Sequence, residues 1–400
     1  MHPGAATAMK KHIKNWLASI ELPGHTSLGE GWSAAPKILE EAIVKSKCDW
    51  LTITSARTLL LDTLEKLCPE YLNRKGGKLS DRIDVNSAAD IVFEAIEKIP
   101  YTYKVYFEFD FGLLEHKFCM QVSNGIEFSR HDIELVKGSN LGLYEPEGSR
   151  PLFLSVEIKG YISSNRREEL SSEAESNAQG SMKVFLERAL ACGVFRFKNQ
   201  SEMWLTRGGG RNLMYVHRLC DNIIEEKFSK KLPQDLAAIS TKITAGHIAC
   251  QDVDGYCDLL KSYLQICLNG DQPSQEIRAA SEWRLDSLTD PSVAMQLVKV
   301  CIGLESIFGD KQSSGGLTKS LSDRCAYSLA NNHSERKHIS DQCKELYQLR
   351  SVVVHGVTNR LGDNGDRLLK FGNEILKRAI FKEASLLPSI DKSDVKFFKP

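Results

Sequence analysis

Apolar positions recur at two different periods along this chain, and the change of period organises it. Between residues 36 and 70, Ile38, Ala42, Leu59, Leu60, Leu64 and Leu67 follow helical spacing, and residues 86–98 form another amphipathic pattern. The period then shortens to two. Tyr101–Phe109 alternates, as do 116–122, 126–128, 132–136 and 152–162, with Gly and Pro between them, which predicts a mostly antiparallel sheet. Helical patterning returns through 166–191, 213–231 and 233–268. The polar stretch Asn269-Gly-Asp-Gln-Pro-Ser-Gln275 is the best place to divide the chain. The expected fold class is α+β, with a mixed region carrying the sheet over 1–270 and an all-α bundle over 277–400.

The bundle reads as a run of helices from about Glu276 to Leu387. Asp290-Pro291 looks like a helix opener, with Asp as cap and Pro in the first turn, ahead of Val293, Leu297, Val300, Leu304, Ile307 and Phe308. Gly309 ends that helix, and a turn over 313–316 leads to a second, Leu317–Ala330. Asn331-Asn332 then breaks the chain and Ser334 is placed to cap a third helix. On it Ile339, Cys343, Leu346, Arg350 and Val354 share one stripe, which turns Arg350 inward. A fourth helix, roughly Asp366 to Leu386, closes the bundle.

Composition narrows the class. The 400 residues suffice for two or three domains, and 42% hydrophobic with 26% charged residues describes a globular protein rather than a disordered tail. Lys plus Arg and Asp plus Glu both total 52, which argues against a strongly basic nucleic-acid coat. The 11 cysteines are scattered, without the Cys-x2-Cys pair of a zinc site, and read as small core residues in a reducing cytosol. His247, Cys250 and Cys257 come nearest to a metal cluster, and helical packing explains them better. No secretory signal or membrane-spanning run is present, so a cytoplasmic protein with no membrane partner is expected, with neither a cofactor nor a metal.

Candidate chemistry concentrates in Leu346-Tyr347-Gln348-Leu349-Arg350-Ser351-Val352-Val353-Val354-His355-Gly356. Arginine keeps its charge at any workable pH and grips phosphate in two-pronged fashion, while histidine exchanges protons near neutrality. The spacing by itself is uninformative: Arg211 to His217 satisfies a similar search and lacks this setting. Five helical residues amount to a rotation of about 140°, so the two side chains share a face only if the helix unwinds. The β-branched run 352–354 and Gly356, suited to a left-handed residue past a helix end, predict that unwinding at His355.

On these residues the segment from about Ala279 to Leu387 resembles the HEPN superfamily, in particular its Apea-like branch. The resemblance rests on Glu282-Trp283-Arg284, the run from Gly303 to Asp310, Leu321-Ser322-Asp323-Arg324, and the Leu346–Gly356 stretch, a little over a quarter of the chain. It implies a compact helical bundle that dimerises with the Arg and His motifs of both copies facing one cleft. It implies metal-independent endoribonuclease activity, used in antiphage defence, abortive infection of the toxin type and stress responses. Ser351, a supporting residue, stands where many members carry Asn, Asp or His.

Carried onto these positions, His355 would move protons at the ribose 2'-hydroxyl or the leaving 5'-oxygen, and Arg350 would stabilise charge gathering on phosphorus. Expected partners are RNA, a second copy of the chain, and a protein or phage-derived trigger acting on 1–270. Alternatives stay open. Arg350 and His355 near a helix C-terminus oppose the helix dipole, and Arg350 can pair with a carboxylate such as Glu305. The bundle can also serve RNA binding or dimerisation without cleavage. A third alternative is a metal-dependent nuclease in the N-terminal region, on Glu157-Ile158-Lys159 with Asp132, although alternating charges on a half-exposed strand explain these more simply. Arg207-Gly-Gly-Gly-Arg211 reads as a flexible turn beside arginines, and the 101–109 aromatics as sheet core.

Overall fold

The computed structural model describes residues 2–22, 36–47, 50–67, 77–109, 120–123, 125–130, 152–164, 172–199, 213–246, 260–261, 264–265, 271–309, 317–356 and 361–387. Asp132, Arg207–Arg211, His247, Cys250 and Cys257 lie outside the described residues.

The chain opens with α1 (Pro3–Ser19) and the short β1 (Glu21–Leu22), followed by α2 (Lys37–Ser46), α3 (Ile53–Leu67), β2 (Gly77–Lys78) and α4 (Val85–Glu97). The four helices bury Ile13, Trp16, Leu39, Leu60, Val92 and Ile96 against one another in a core of their own. Asp84 starts α4 by accepting the N–H groups of Asn86 and Ser87. Glu40, buried beneath this layer, accepts from two nitrogens of Arg57 at 2.7 and 3.0 Å.

The sheet follows: β3 (Tyr101–Phe109), β4 (Met120–Ser123), β5 (Ile126–Arg130) and β6 (Leu152–Gly160), then α5 (Glu173–Ala191), β7 (Phe195–Phe197), β8 (Leu213–Cys220) and β9 (Ile223–Lys231). Six strands run in the order β4-β5-β6-β3-β8-β9, every neighbour antiparallel. The expected α+β class is what the chain adopts. Alternation puts Tyr103, Val105, Phe107 and Phe109 on one face, buried with Leu154, Met214 and Val216. The ring of Phe128 lies 5.3 Å from that of Phe185 on α5, which closes this face.

Residues 213–231 correct the helical expectation. They form the β8–β9 hairpin, in which Cys220 pairs with Ile223 across a two-residue turn. Asp221 and Asn222 take φ of 49° and 64°, the left-handed pair that a tight hairpin turn demands and that Asn and Asp tolerate better than other side chains. Leu213, Val216 and Leu219 also fit helical spacing, so the local pattern is ambiguous, and pairing of β8 with β3 decides it. Beyond the hairpin, α6 (Gln234–Lys242) is helical as expected, but β10 (Ile243–Ala245) pairs with β7 instead of continuing a helix.

The C-terminal part is α7 (Gln272–Thr289), α8 (Val293–Phe308), α9 (Leu317–Leu329), α10 (His333–Val354) and α11 (Gly362–Leu386). Two caps differ from expectation. Ser292, not Asp290, caps α8, while Asp290 closes α7 and its carboxylate accepts the Ser292 N–H at 2.8 Å. Asn332, not Ser334, caps α10 by accepting the Glu335 N–H at 2.9 Å. Gly303 lets α8 and α11 approach: a Cβ there would sit 2.6 Å from Leu376 Cδ2.

One buried core runs from the sheet through α5 into these five helices. α7, which begins within the polar stretch 269–275, lies against α5. Arg284 on α7 donates to the fully buried Glu187 on α5 at 2.5 Å, and Arg188 lies over the Phe381 ring of α11 at 4.9 Å. Among the described residues, no helix is long and apolar enough to cross a membrane.

Candidate functional site

Asn332 caps α10, and the helical spacing of Ile339, Cys343, Leu346 and Tyr347 turns them together into the bundle, where they are buried. Tyr347 locks the register by donating its hydroxyl to the Cys301 carbonyl of α8 at 3.0 Å. One turn further, Arg350 emerges beside α8 with its side chain 32% exposed, as the inward stripe implies. Val354, placed on the same stripe, is instead exposed at the last residue of α10.

Arg350 Nη2 lies 3.5 Å from Oε1 of Glu305 on α8, a charge contact without hydrogen-bond geometry. Arg350 Nε and Glu305 Oε1 are both buried and lack a hydrogen-bond partner. Burial pushes the Glu305 carboxyl above its ordinary value, and the Arg350 charge only partly offsets this. Burial likewise raises the neighbouring Cys301 thiol and Tyr347 hydroxyl, so both stay neutral beside the pair.

His355 caps the C-terminus of α10, its N–H donating to the Ser351 carbonyl at 3.0 Å. Gly356 follows with φ of 71°, the left-handed residue that terminates the helix where the sequence places its end. Ser351 and His355 are exposed. Arg350 and His355 therefore occupy the same helix end, one half-buried against α8 and one in solvent, with no hydrogen bond between them. The structure also realises the pairing with Glu305 that the sequence offers as an alternative role for Arg350.

The other candidates separate. His217, the partner of the second Arg–His match, is buried on β8 with its ring 4.9 Å from that of Tyr106. Glu157 is exposed on β6 opposite Lys104 of β3, and Lys104 instead pairs with Glu127 at 3.1 Å. No three His, Cys, Asp or Glu side chains among the described residues are grouped to hold a metal ion. Sequence reading singled out Arg284 within Glu282-Trp283-Arg284 but missed the buried charged cluster it forms with Glu187 and Arg188, whose local sign is a charged pair between Leu186 and Ala189 in the apolar second half of α5. No family model matches the chain, nor does any curated protein or solved structure.

Proposed function

We propose that the α7–α11 bundle belongs to the HEPN superfamily and works as an endoribonuclease whose catalytic residues are Arg350 and His355. The observation that supports this most is the state of Arg350: a guanidinium one-third exposed, lacking any side-chain hydrogen bond, on the same helix end as the exposed His355. Its Nε is buried, so the donors it could offer an oxyanion are those of its Nη nitrogens.

In this reading His355 takes the proton from a ribose 2'-hydroxyl or gives one to the leaving 5'-oxygen, and Arg350 neutralises the charge accumulating on the phosphate. The 2'-hydroxyl is a nucleophile already tethered to the scissile bond, so proximity supplies what a metal-bound water supplies elsewhere. A homodimer through the bundle brings two histidines to one cleft and divides the acid and base roles between them. The setting is the cytoplasm, in antiphage defence or a stress response. The region 1–270 senses a protein or phage-derived trigger and restrains cutting, acting through the contact of α5 with α7.

Cleavage of an RNA oligonucleotide and its 2'-deoxy counterpart, with EDTA present, tests the proposal. Arg350→Ala and His355→Ala should each lower the rate by about 10²- to 10⁴-fold, and the deoxy substrate should stay intact. Undiminished cutting by either variant removes it from the mechanism. The Arg350–Glu305 contact favours a second reading, a bundle that binds RNA or dimerises without cutting. That reading requires RNA affinity that survives His355→Ala in a protein with no cleavage activity.

A further inference from the structure

We infer that Glu305 is the positioning residue of Arg350, holding the guanidinium at the mouth of the site by charge while leaving its outward N–H groups to a phosphate. The inference deepens the ribonuclease reading and rests on it for its functional meaning.

Glu305 is poorly placed for stability. It lies in the last turn of α8, whose Gly309 N–H bonds back to the Glu305 carbonyl at 2.8 Å, and a negative charge at a helix C-terminus opposes the dipole. Its side chain is only 24% exposed, and Oε1 is cut off from water without a hydrogen bond. Three costs thus fall on one carboxylate: lost hydration, an adverse dipole and an unmet acceptor.

The groups facing it show what offsets them. Tyr347 has already committed its hydroxyl to the Cys301 carbonyl, and the Cys301 thiol is buried and neutral. Arg350 is what remains. The geometry of that contact is informative. Nη2 lies 3.5 Å away without hydrogen-bond geometry and Nε is buried, so any donors this side chain offers outward are on its Nη nitrogens. A flexible arginine loses much of its rotational freedom on gripping a phosphate, and a carboxylate behind it removes that loss beforehand.

The full-length protein carrying Glu305→Gln, Glu305→Asp, Arg350→Ala or Glu305→Gln with Arg350→Ala tests this. In RNA cleavage, Glu305→Gln should lower kcat by about 10- to 100-fold with KM little changed, and Glu305→Asp should restore part of it. In the Arg350→Ala background Glu305→Gln should add nothing, whereas a merely structural glutamate would multiply the two losses. A second measurement is independent of activity: the rate at which phenylglyoxal modifies Arg350, read by peptide mass spectrometry. Releasing the arginine in Glu305→Gln should speed modification several-fold, with Glu305→Asp intermediate. Equal rates in the wild type and Glu305→Gln would overturn the inference even if RNA is cut. A rate difference in a wild-type protein that cuts no RNA would leave the anchoring in place and defeat the ribonuclease reading instead.

Discussion

The carboxylate of Glu187, fully buried on α5, accepts a hydrogen bond from Arg284 on α7 at 2.5 Å and is also paired with the adjacent Arg188. Arg284 in turn donates to the Asn373 carbonyl of α11 at 3.2 Å. The sheet region and the bundle are therefore joined by charges that water does not reach. Removing one member strands the others, so Glu187→Ala should destabilise the protein by about 3–5 kcal/mol. Replacing Glu187, Arg188 and Arg284 together by Leu, Met and Met should cost much less. Urea unfolding measures both, and a loss below about 1 kcal/mol for Glu187→Ala would show that the pair carries little.

The same contact bears on any attempt to isolate the bundle. A fragment starting at residue 277 discards the Asp271 cap, whose carboxylate accepts the Ser274 N–H at 2.9 Å, and cuts into the first turns of α7. It also strips α5 from the buried face carrying Ile277, Ala280 and Arg284. Such a fragment should show no cooperative thermal transition, checked by circular dichroism; a sharp transition close to that of the whole chain would mean that α5 contributes little.

The hairpin turn offers a gain in stability. Asp221 and Asn222 both hold left-handed backbone, for which Asn-Gly is the better pair. Asp221→Asn with Asn222→Gly should raise stability by about 0.5–1 kcal/mol, whereas Asn222→Val should lower it by about 1–2 kcal/mol. Differential scanning calorimetry distinguishes the two signs.

Glu305 gives stability a pH dependence of known sign. Its carboxyl lies above the ordinary value in the folded state, chiefly through burial, so the folded protein holds this proton more tightly than the unfolded chain does. Below about pH 4 both states are protonated and nothing is lost. As pH rises past that value and then through the raised one, ionisation favours unfolding, and the cost is complete above the raised value. Glu305→Gln should therefore match the wild type near pH 4 and exceed it in melting temperature at pH 7. An offset independent of pH would contradict the assignment. A variant that is more stable and less active is what a residue retained for function predicts.

Among the described cysteines, Cys220 is exposed, whereas Cys192, Cys301, Cys325 and Cys343 are buried. Burial pushes the Cys192 thiol up to about 12 and raises Cys301 further. Cys325 and Cys343, 3.8 Å apart between α9 and α10, are equally shielded. A disulfide reagent should label Cys220 in the folded protein and leave these four untouched until denaturant is added, which peptide mapping detects. Cys220 itself should react more slowly than a free thiol, since Glu225 and Asp221 raise its pKa. Rapid labelling of Cys325 or Cys343 would show that the bundle opens.

The chain by itself determined what short-range physics controls. Period-two alternation marked β3 and β6, helical spacing with Gly309 and Gly356 marked the ends of α8 and α10, and the α10 stripe turned Arg350 inward. Tertiary structure alone decided the rest. Leu213, Val216 and Leu219 suit a helix or a strand, and only pairing of Val216 with Val105 and Tyr215 with Tyr106 selects the strand. Glu187 and Arg284 stand 97 residues apart and meet because α5 packs on α7. Glu305 comes beneath Arg350 because α8 and α10 share a core. Local preferences differ by about 1 kcal/mol per residue, whereas burying a side chain or pairing a charge is worth several times that. The partner a charged group finds is therefore settled by packing between distant segments, a relation that spacing along the chain does not encode.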